Sequence, residues 1–414
     1  MDNRILLRMC KMSGNEMRFI QDAFEGEWVV PLGPNVKGFE EDLEKFLGQD
    51  KPVVALSSGT AALHLGLIGL GVGEGDEVMV QSMTFSASVN PVRYVGAIPV
   101  MVDSEPDTWN IDPELLDSAI ADRVKATGRK PKAIVAVCLY GMPVKYDRLL
   151  EVAGKWEIPV LEDAAEAFGS SYDGQRCGTF GRYGVLSFNG NKMITTSGGG
   201  ALVCPDEEAA RKTMYYATQA RLGYAYYQHE EIGYNYRMSN ISAGIGRGQM
   251  TVAEEYIAHH RHRQAYYREK LREVEGITLH ENPDKKTDSN FWLCTALIDP
   301  TLNIEGQENA YSSAITSTVG GAGGVTAKGN SIHTDCEPNA NVEALRLGLA
   351  EKGIESRPLW KPMHRQPVFA GYPSYVNGVA ESLFHRGICL PSGPYVTDRD
   401  ADRVVETIKS LIIR

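Results

Sequence analysis

A lysine in a polar turn is the first residue of this chain whose surroundings indicate chemistry. Lys192 follows the apolar stretch 185–188 across the turn 189–191, and a glycine run, 198–200, precedes the next apolar stretch. A lysine recessed in such a turn loses hydration, which lowers the pKa of its amine and favours bond formation with a carbonyl. The alternative is an exposed turn lysine, which is where most lysines lie.

An acid follows a second apolar stretch. Asp163 comes just after residues 158–161 and is followed by Ala164 and Ala165, whose small side chains leave room for a flat ring. Parallel strands place ligand-contacting groups at their carboxyl ends. A buried acid needs a cationic partner, because an unpaired charge there is costly, and the N–H of a protonated heterocycle would serve. The alternative is an aspartate that caps a helix.

Residues 57–63 join an apolar stretch to a helical pattern. Free N–H groups at a helix start attract phosphate, Gly59 permits a close approach, and Thr60 adds a hydroxyl. Phe85 follows the stretch 77–81 and could stack on a flat ligand or pack in the core. No Gly-Lys-Ser/Thr follows a glycine loop, which disfavours a P-loop that binds a nucleoside triphosphate.

These residues need a scaffold, and the pattern predicts an α/β fold. Strand-like stretches recur at residues 53–56, 77–81, 98–102, 133–138, 158–161, 185–188 and 201–204. Helical patterns lie at residues 39–47, 61–70 and 147–155. This alternation predicts a mostly parallel seven-stranded sheet between helices.

The pattern changes near residue 250, which predicts a large domain over 1–250 and a smaller α+β domain over 251–414. In the second part we expect a long charged helix at 251–275, a strand at 291–298 and a helix at 341–352 that ends at Gly353. The Gly/Ser/Thr-rich stretch 312–331 predicts a mobile loop.

Composition excludes several classes of function. The net charge of −11 disfavours nucleic acid and anionic membranes as partners. The uncharged stretch 53–73 is divided by serine and glycine, so we expect no membrane span, and residues 1–14 show no export signal. Seven scattered cysteines are typical of a reduced cytoplasmic protein without a metal site. His259, His260 and His262 are expected on a solvated helix face, since adjacent helical positions point apart.

Taken together, the motifs resemble the DegT/DnrJ/EryC1/StrS sugar aminotransferases, which have the fold-type I architecture. The resemblance spans nearly the whole chain. It rests on residues 28–34, 39–40, 57–63, 84–85, 162–169, 187–188, 192, 198–199, 233–238, 353–358 and 360–364. It implies pyridoxal 5′-phosphate (PLP) as cofactor, with pyridoxamine phosphate as the form that carries the amino group.

The resemblance also implies roles for individual residues. Lys192 would bond to the cofactor and move a proton, and Asp163 would pair with the pyridine nitrogen. The remaining cofactor contacts would be Glu166 at the phenolic oxygen, Gly59, Thr60 and Ser187 at the phosphate, Phe85 against the ring, and Asn235 at the phosphate of the neighbouring subunit of a homodimer. Arg357, Lys361 and His364 would lie near the sugar nucleotide, although their segment could instead be a loop packed on the small domain.

The substrate implied is a nucleotide-linked 6-deoxy keto sugar, aminated from glutamate at C4 or C3 for cell-surface polysaccharide biosynthesis. Two segments depart from the family's usual pattern: 197–199 lacks its acidic residue, and 189–191 reads Asn-Gly-Asn. The second variant is typical of members that form 4-amino-4,6-dideoxy sugars on UDP-N-acetylhexosamine. The alternatives are another PLP reaction, such as sugar dehydration or aminobenzoate formation, and a non-catalytic regulator that senses PLP.

Overall fold

The computed structural model describes residues 4–311 and 336–413. The helices, in chain order, are α1 (Glu16–Glu25), α2 (Pro34–Leu47), α3 (Gly59–Gly69), α4 (Asn90–Tyr94), α5 (Pro113–Thr127), α6 (Tyr146–Trp156), α7 (Glu207–Ala217), α8 (Asn240–Met250), α9 (Ala253–Leu271), α10 (Ala340–Glu351), α11 (Val379–Arg386) and α12 (Asp398–Leu411). The strands are β1 (Val53–Leu56), β2 (Glu77–Gln81), β3 (Ile98–Val102), β4 (Ala133–Val137), β5 (Val160–Asp163), β6 (Ser171–Tyr172), β7 (Gln175–Arg176), β8 (Tyr183–Ser187), β9 (Gly200–Val203), β10 (Ile277–Leu279), β11 (Thr287–Asp288), β12 (Cys294–Ile298), β13 (Arg357–Pro358), β14 (Ser374–Tyr375) and β15 (Gly387–Leu390).

The main sheet is mostly parallel and buried on both faces, so the predicted α/β architecture is confirmed. Its eight strands follow the order β1-β9-β8-β5-β4-β2-β3-β14. β9 runs antiparallel to β1 and β8, and the remaining neighbours pair in parallel. Helices α2, α5 and α6 contribute to the apolar core on one face, and α3 and α7 to the core on the other. The carboxyl ends of seven strands therefore open at one edge.

In the main sheet, sequence patterns locate the seven longer strands well and miss the two-residue strand β14. β1, β2 and β3 have the predicted bounds, and β4, β5, β8 and β9 differ by one or two residues. The predicted number of seven strands is too low, because β14 adds an eighth beside β3. A two-residue strand has no periodicity that could identify it, since its pairing comes from tertiary contact.

Capping residues set the end of α2 and the start of α3. In α2, Phe39 and Leu43 are fully buried, and Gly48 ends the helix in the left-handed conformation at φ 68°. At the start of α3, the Ser58 hydroxyl accepts a hydrogen bond from the amide of Ala61. The long helix predicted over 251–275 is shorter, because α9 ends at Leu271. Helix α1 has no counterpart in the sequence-based prediction.

A second, antiparallel sheet lies in the C-terminal part of the chain. Its strands follow the order β10-β12-β15-β13, and α9, α10 and α12 pack around it. The predicted strand at 291–298 narrows to β12, and the helix predicted at 341–352 is α10. Ile5 pairs with Ile354, so the N-terminal segment also contacts this part. The division of the chain near residue 250 stays a prediction.

The histidines on α9 do not all face solvent, and that expectation is wrong for His260. Its ring is fully buried, and its Nδ1 lies 3.2 Å from the carbonyl oxygen of Phe291. Burial holds the pKa of His260 well below 6.5, because the charged ring would lose its hydration. The buried face of this charged helix contains polar side chains, which the hydrophobic pattern could not indicate.

Three further predictions concern absences or loops. The loop predicted at 312–331 lies outside the described residues. The described cysteines form no disulfide. No described helix combines the length and the apolar character that crossing a membrane would require.

Candidate active site

A cavity of about 680 Å³ opens at the carboxyl edge of the main sheet. Residues at or just after the carboxyl ends of β1, β2, β4, β5 and β8 line it, together with parts of the N-terminal segment and of the C-terminal sheet. Its lining includes Gly59, Thr60, Phe85, Asp163, Glu166, Ser187, Lys192 and Arg357. Eight of the eleven residues predicted for the site are therefore in one cavity, although the chain separates the first from the last by almost 300 positions.

Lys192 is recessed in the wall of this cavity. Its side chain is 13% exposed, and its Nζ lies 3.2 Å from Oε1 of Glu166. The same nitrogen is 4.3 Å from the centre of the Trp292 ring. The carbonyl oxygen of Lys192 accepts hydrogen bonds from Arg8 and Cys10. These contacts exclude the alternative of an exposed turn lysine. They fix the backbone of Lys192 and leave its amine at the wall of the cavity.

Asp163 is buried at the end of β5, and no helix begins there. Its Oδ2 accepts a hydrogen bond of 2.7 Å from Ser88, whose hydroxyl also lies 2.7 Å from that of Thr84. Its Oδ1 accepts one from the amide of Ala165. Burial raises the pKa of Asp163, and the bond from Ser88 opposes that rise. No cationic side chain among the described residues forms an ion pair with it, so a cationic group bound against this carboxylate would stabilise its charged form.

Glu166 lies between the lysine and the backbone. Its Oε2 accepts a hydrogen bond of 2.8 Å from the amide of Tyr140, and its Oε1 faces Lys192. Burial raises the pKa of Glu166, and the nearby Lys192 amine lowers it by less. The carboxyl group therefore takes up a proton more readily than an exposed glutamate.

This shift predicts a pH-dependent effect of Glu166→Gln on stability. A carboxyl whose folded-state pKa lies above its usual 4.5 costs stability as the pH rises from 4.5 through the folded-state value. An amide carries no such cost. We therefore expect the unfolding free energy of Glu166→Gln, relative to wild type, to increase as the pH rises above 4.5. Urea unfolding of both cofactor-free proteins measures this difference, and a difference independent of pH would contradict the prediction.

The start of α3 is a cradle for an anion. Gly59 and Thr60 are in its first turn, where backbone N–H groups have no acceptor within the helix. Ser187 lies beside them, since a Cβ placed on Gly59 would be 3.3 Å from its hydroxyl oxygen. Backbone amides, two hydroxyls and the helix dipole converge here, and this combination binds phosphate.

Gly200 lets β9 approach this cradle. A Cβ at position 200 would lie 2.4 Å from the amide nitrogen of Gly59 and from the carbonyl carbon of Ser58. We expect Gly200→Ala to lower the unfolding free energy by about 1–3 kcal/mol, because backbone atoms must move, and to weaken PLP binding. Urea unfolding and PLP titration measure the two effects.

Gly198→Ala is the matched control for stability, because a Cβ at Gly198 would meet no atom within 4 Å. Equal destabilisation by the two substitutions would show that the close approach at Gly200 is unimportant.

Aromatic rings form one wall of the cavity. Phe85 is 54% exposed, which excludes core packing, and its ring centre lies 5.5 Å from that of Trp360. Trp360 in turn contacts Tyr140 and Trp292, at 4.8 and 6.4 Å between ring centres. The sequence interpretation did not include Trp292, and its only signal was an aromatic pair, Phe291-Trp292, before a strand.

Three predicted residues lie outside this cavity. Asn235 is exposed on a loop that pairs with Thr218. Neither Lys361 nor His364 is part of the lining. The ring nitrogens of His364 instead contact the hydroxyl of Ser82 at 2.6 Å and the carboxylate of Glu381 at 3.1 Å. His364 thus ties its loop to the end of β2.

One buried cluster outside the cavity contains potential metal ligands. The ligand atoms of Cys138, Glu162 and Cys177 lie within 4.8 Å of one another. The Glu162 carboxylate already accepts hydrogen bonds from three backbone amides, at residues 178, 180 and 181, and from the hydroxyl of Tyr146. Its acceptor positions are filled by protein groups that hold this turn against β5, so no cation is needed to explain it.

Comparison with known proteins gives a consistent result. Residues 11–316 and 328–409 match the DegT/DnrJ/EryC1/StrS aminotransferase family. EpsN of Bacillus subtilis, whose name describes a pyridoxal phosphate-dependent aminotransferase, is 42% identical, with 99% of this chain and 96% of that protein covered. GDP-perosamine synthase of Escherichia coli O157:H7 is 33% identical over 96% of this chain and 95% of its own length. The crystal structure of a DegT DnrJ EryC1 StrS aminotransferase from Brucella abortus superposes with a TM-score of 0.81 at 27% identity, covering 96% of this chain and 95% of that one.

Proposed function

We propose, from the premise that this chain belongs to the DegT/DnrJ/EryC1/StrS aminotransferase family, that it transfers an amino group from glutamate to a keto sugar. The acceptor proposed is a nucleotide-linked 6-deoxy hexose, aminated at C4. The product would serve the biosynthesis of a cell-surface polysaccharide. The observation that carries this proposal is the convergence of a recessed lysine, a buried unpaired carboxylate and an anion cradle in one cavity.

The enzyme is PLP-dependent, and the chemistry of the cavity residues fits that cofactor. PLP supplies an electron sink that stabilises negative charge at the carbon next to the transferred nitrogen. Gly59, Thr60 and Ser187 would hold its phosphate, and Phe85 would lie against its ring. Asp163 would provide the negative charge that keeps the pyridine nitrogen protonated. The protonated nitrogen would in turn be the cationic partner of this buried carboxylate.

Lys192 and Glu166 would control the proton transfers of the reaction. The Lys192 amine would anchor the cofactor covalently and carry the proton to and from the reacting carbon. Glu166, within 3.2 Å of the amine, would hydrogen-bond to the cofactor's phenolic oxygen and share a proton with it. The hydrogen bond from the amide of Tyr140 keeps this carboxyl oriented. Glu166 is buried and Lys192 is recessed, and the low polarity of their surroundings strengthens the interaction between them.

The acceptor assignment is supported by relatives and by the rim of the cavity. The name of the E. coli relative describes a GDP-linked product. Arg357 and Trp360 line the cavity and would meet an anionic, partly flat ligand such as a nucleotide. Lys361 and His364 flank this rim along the chain and would be reached only by the more distant part of a long ligand.

A homodimer would complete the site. Asn235 is exposed in the single chain, where it would be free to reach the phosphate of a neighbouring subunit. Large apolar side chains are exposed at Trp28, Val29, Leu32, Tyr227 and Ile232. Exposed apolar groups in this number are typical of a protein interface. Sedimentation equilibrium tests this part of the proposal, and a monomer at micromolar concentration would contradict it.

The activity is tested with a panel of UDP-, GDP- and dTDP-linked 4-keto-6-deoxy sugars, with glutamate as donor. We expect one nucleotide series to be aminated at C4, as measured by 2-oxoglutarate formation and by NMR of the product. Amination at C3 would correct the position. A chain that converts none of these sugars, yet exchanges its amino group with glutamate, would have a different acceptor.

A further inference from the structure

Arg8 is a buried cation in the wall of the active-site cavity. Only 8% of it is exposed, and it is one of the lining residues. Its guanidinium donates hydrogen bonds to two backbone carbonyls, that of Met9 at 2.9 Å and that of Lys192 at 2.6 Å. Within residues 4–311 and 336–413, its Nε has no hydrogen-bond partner and no acid forms an ion pair with its guanidinium. Burial without a carboxylate lowers the pKa of Arg8 to about 10.

The other cations of the cavity are neutralised. Lys192 faces Glu166 at 3.2 Å, and Arg357 lies 3.1 Å from Glu355. Arg8 is therefore the cation of this lining whose charge is uncompensated among the described residues. A guanidinium taken out of water without a counter-charge is costly, and the cost is recovered when an anion binds.

We propose that Arg8 binds the α-carboxylate of the amino donor. This inference rests on the proposed function, since it assumes an amino acid donor at Lys192. The guanidinium contacts the backbone carbonyl of Lys192 and lines the same cavity as the amine at which the donor must react. The two hydrogen bonds above use only two of the five N–H groups of the guanidinium. Its planar pair of N–H donors matches the two oxygens of a carboxylate. In a buried site such a charge-assisted hydrogen bond would favour amino acids over amines that have no carboxylate.

Two small reagents separate carboxylate recognition from reactivity of the lysine. Aminooxyacetate carries a carboxylate and O-methylhydroxylamine does not. Each forms an oxime at the aldehyde carbon of bound PLP while the bond to the Lys192 nitrogen breaks and the lysine amine is released. Visible absorbance follows both rates. For Arg8→Met we expect the rate constant with aminooxyacetate to fall roughly 10- to 100-fold, and that with O-methylhydroxylamine to stay unchanged.

Two further variants complete the design. Arg8→Lys keeps the charge without the fork, so it should retain more of the aminooxyacetate rate than Arg8→Met. Cys10→Ala removes the other side chain that donates to the Lys192 carbonyl, at 3.2 Å, so it tests positioning alone and should change both rates by the same factor. If Arg8→Met does not fold, Arg8→Lys still tests the proposal through the ratio of its two rates.

The outcomes are distinct. An equal loss of rate with both reagents would show that Arg8 only positions Lys192, and unchanged rates would show that it binds no carboxylate; either result overturns the proposal. Failure of the proposed function looks different. In that case wild-type protein reacts with both reagents, but glutamate alone produces no spectral change.

Discussion

Lys192→Ala is expected to lower kcat for amino transfer by at least about 10,000-fold, because it removes both the covalent anchor and the proton carrier. No neighbouring amine can replace it, since the other cations of the described cavity lining are the arginines Arg8 and Arg357. The absorbance of lysine-bound PLP should be lost, leaving the spectrum of the free aldehyde. Single-turnover kinetics and absorbance spectra measure both effects.

Lys130→Ala is the control for this substitution. Lys130 is exposed and pairs with Glu157 at 2.8 Å, and a surface pair of this kind contributes little. Its activity and spectrum should match those of wild type. Turnover that survives in Lys192→Ala at more than trace level would refute the role assigned to this lysine.

Asp163→Asn should be the second most damaging change. The amide keeps the size of the side chain. Its oxygen can still accept the hydrogen bond from the amide of Ala165, while its NH2 group would have to donate to the hydroxyl of Ser88. It no longer supplies the negative charge that holds the pyridine nitrogen protonated, so the cofactor becomes a weaker electron sink. We expect kcat to fall about 100- to 1,000-fold, the usual cost of one missing electrostatic contact in a buried site.

The spectrum of bound PLP separates this effect from unfolding. Lys192 is intact in Asp163→Asn, so the variant should still bind PLP covalently while turning over slowly. Asp173→Asn is the control, because Asp173 is exposed in the left-handed conformation, at φ 49°, which asparagine tolerates. Wild-type kcat in Asp163→Asn would contradict the proposed pairing with the pyridine nitrogen.

Local patterns identified the site residues that end strands. Asp163 and Lys192 follow runs of buried apolar residues, and parallel strands bring such positions to one edge whatever the order of the strands. Gly59 and Thr60 were identified by the helix start that follows β1. Each of these signals lies within a few residues of its functional group, which is why a single sequence contains it.

Arg8 and Trp292 had no comparable signal. Arg8 precedes all helices and strands, and it enters the cavity because the segment around it pairs with Ile354 and contacts Lys192. Trp292 reaches Lys192 from the segment just before β12, a strand of the second sheet. His364 is an opposite case, because its sequence position predicted a role in the site that its contacts do not support. It lies four residues after Trp360, which lines the cavity, but its ring contacts Ser82 and Glu381 instead.

The amino-acid sequence alone located seven strands of the main sheet, β12 and five of the twelve described helices, because apolar periodicity and caps act over a few residues. It also determined which lysine, acid and glycines could do the chemistry. Only the tertiary structure decided which charges meet: Lys192 with Glu166, Arg357 with Glu355, and Arg8 with none of the described acids. The physical reason is that the charge balance of a buried cavity depends on distances between groups far apart in the chain, and side-chain identity does not encode those distances.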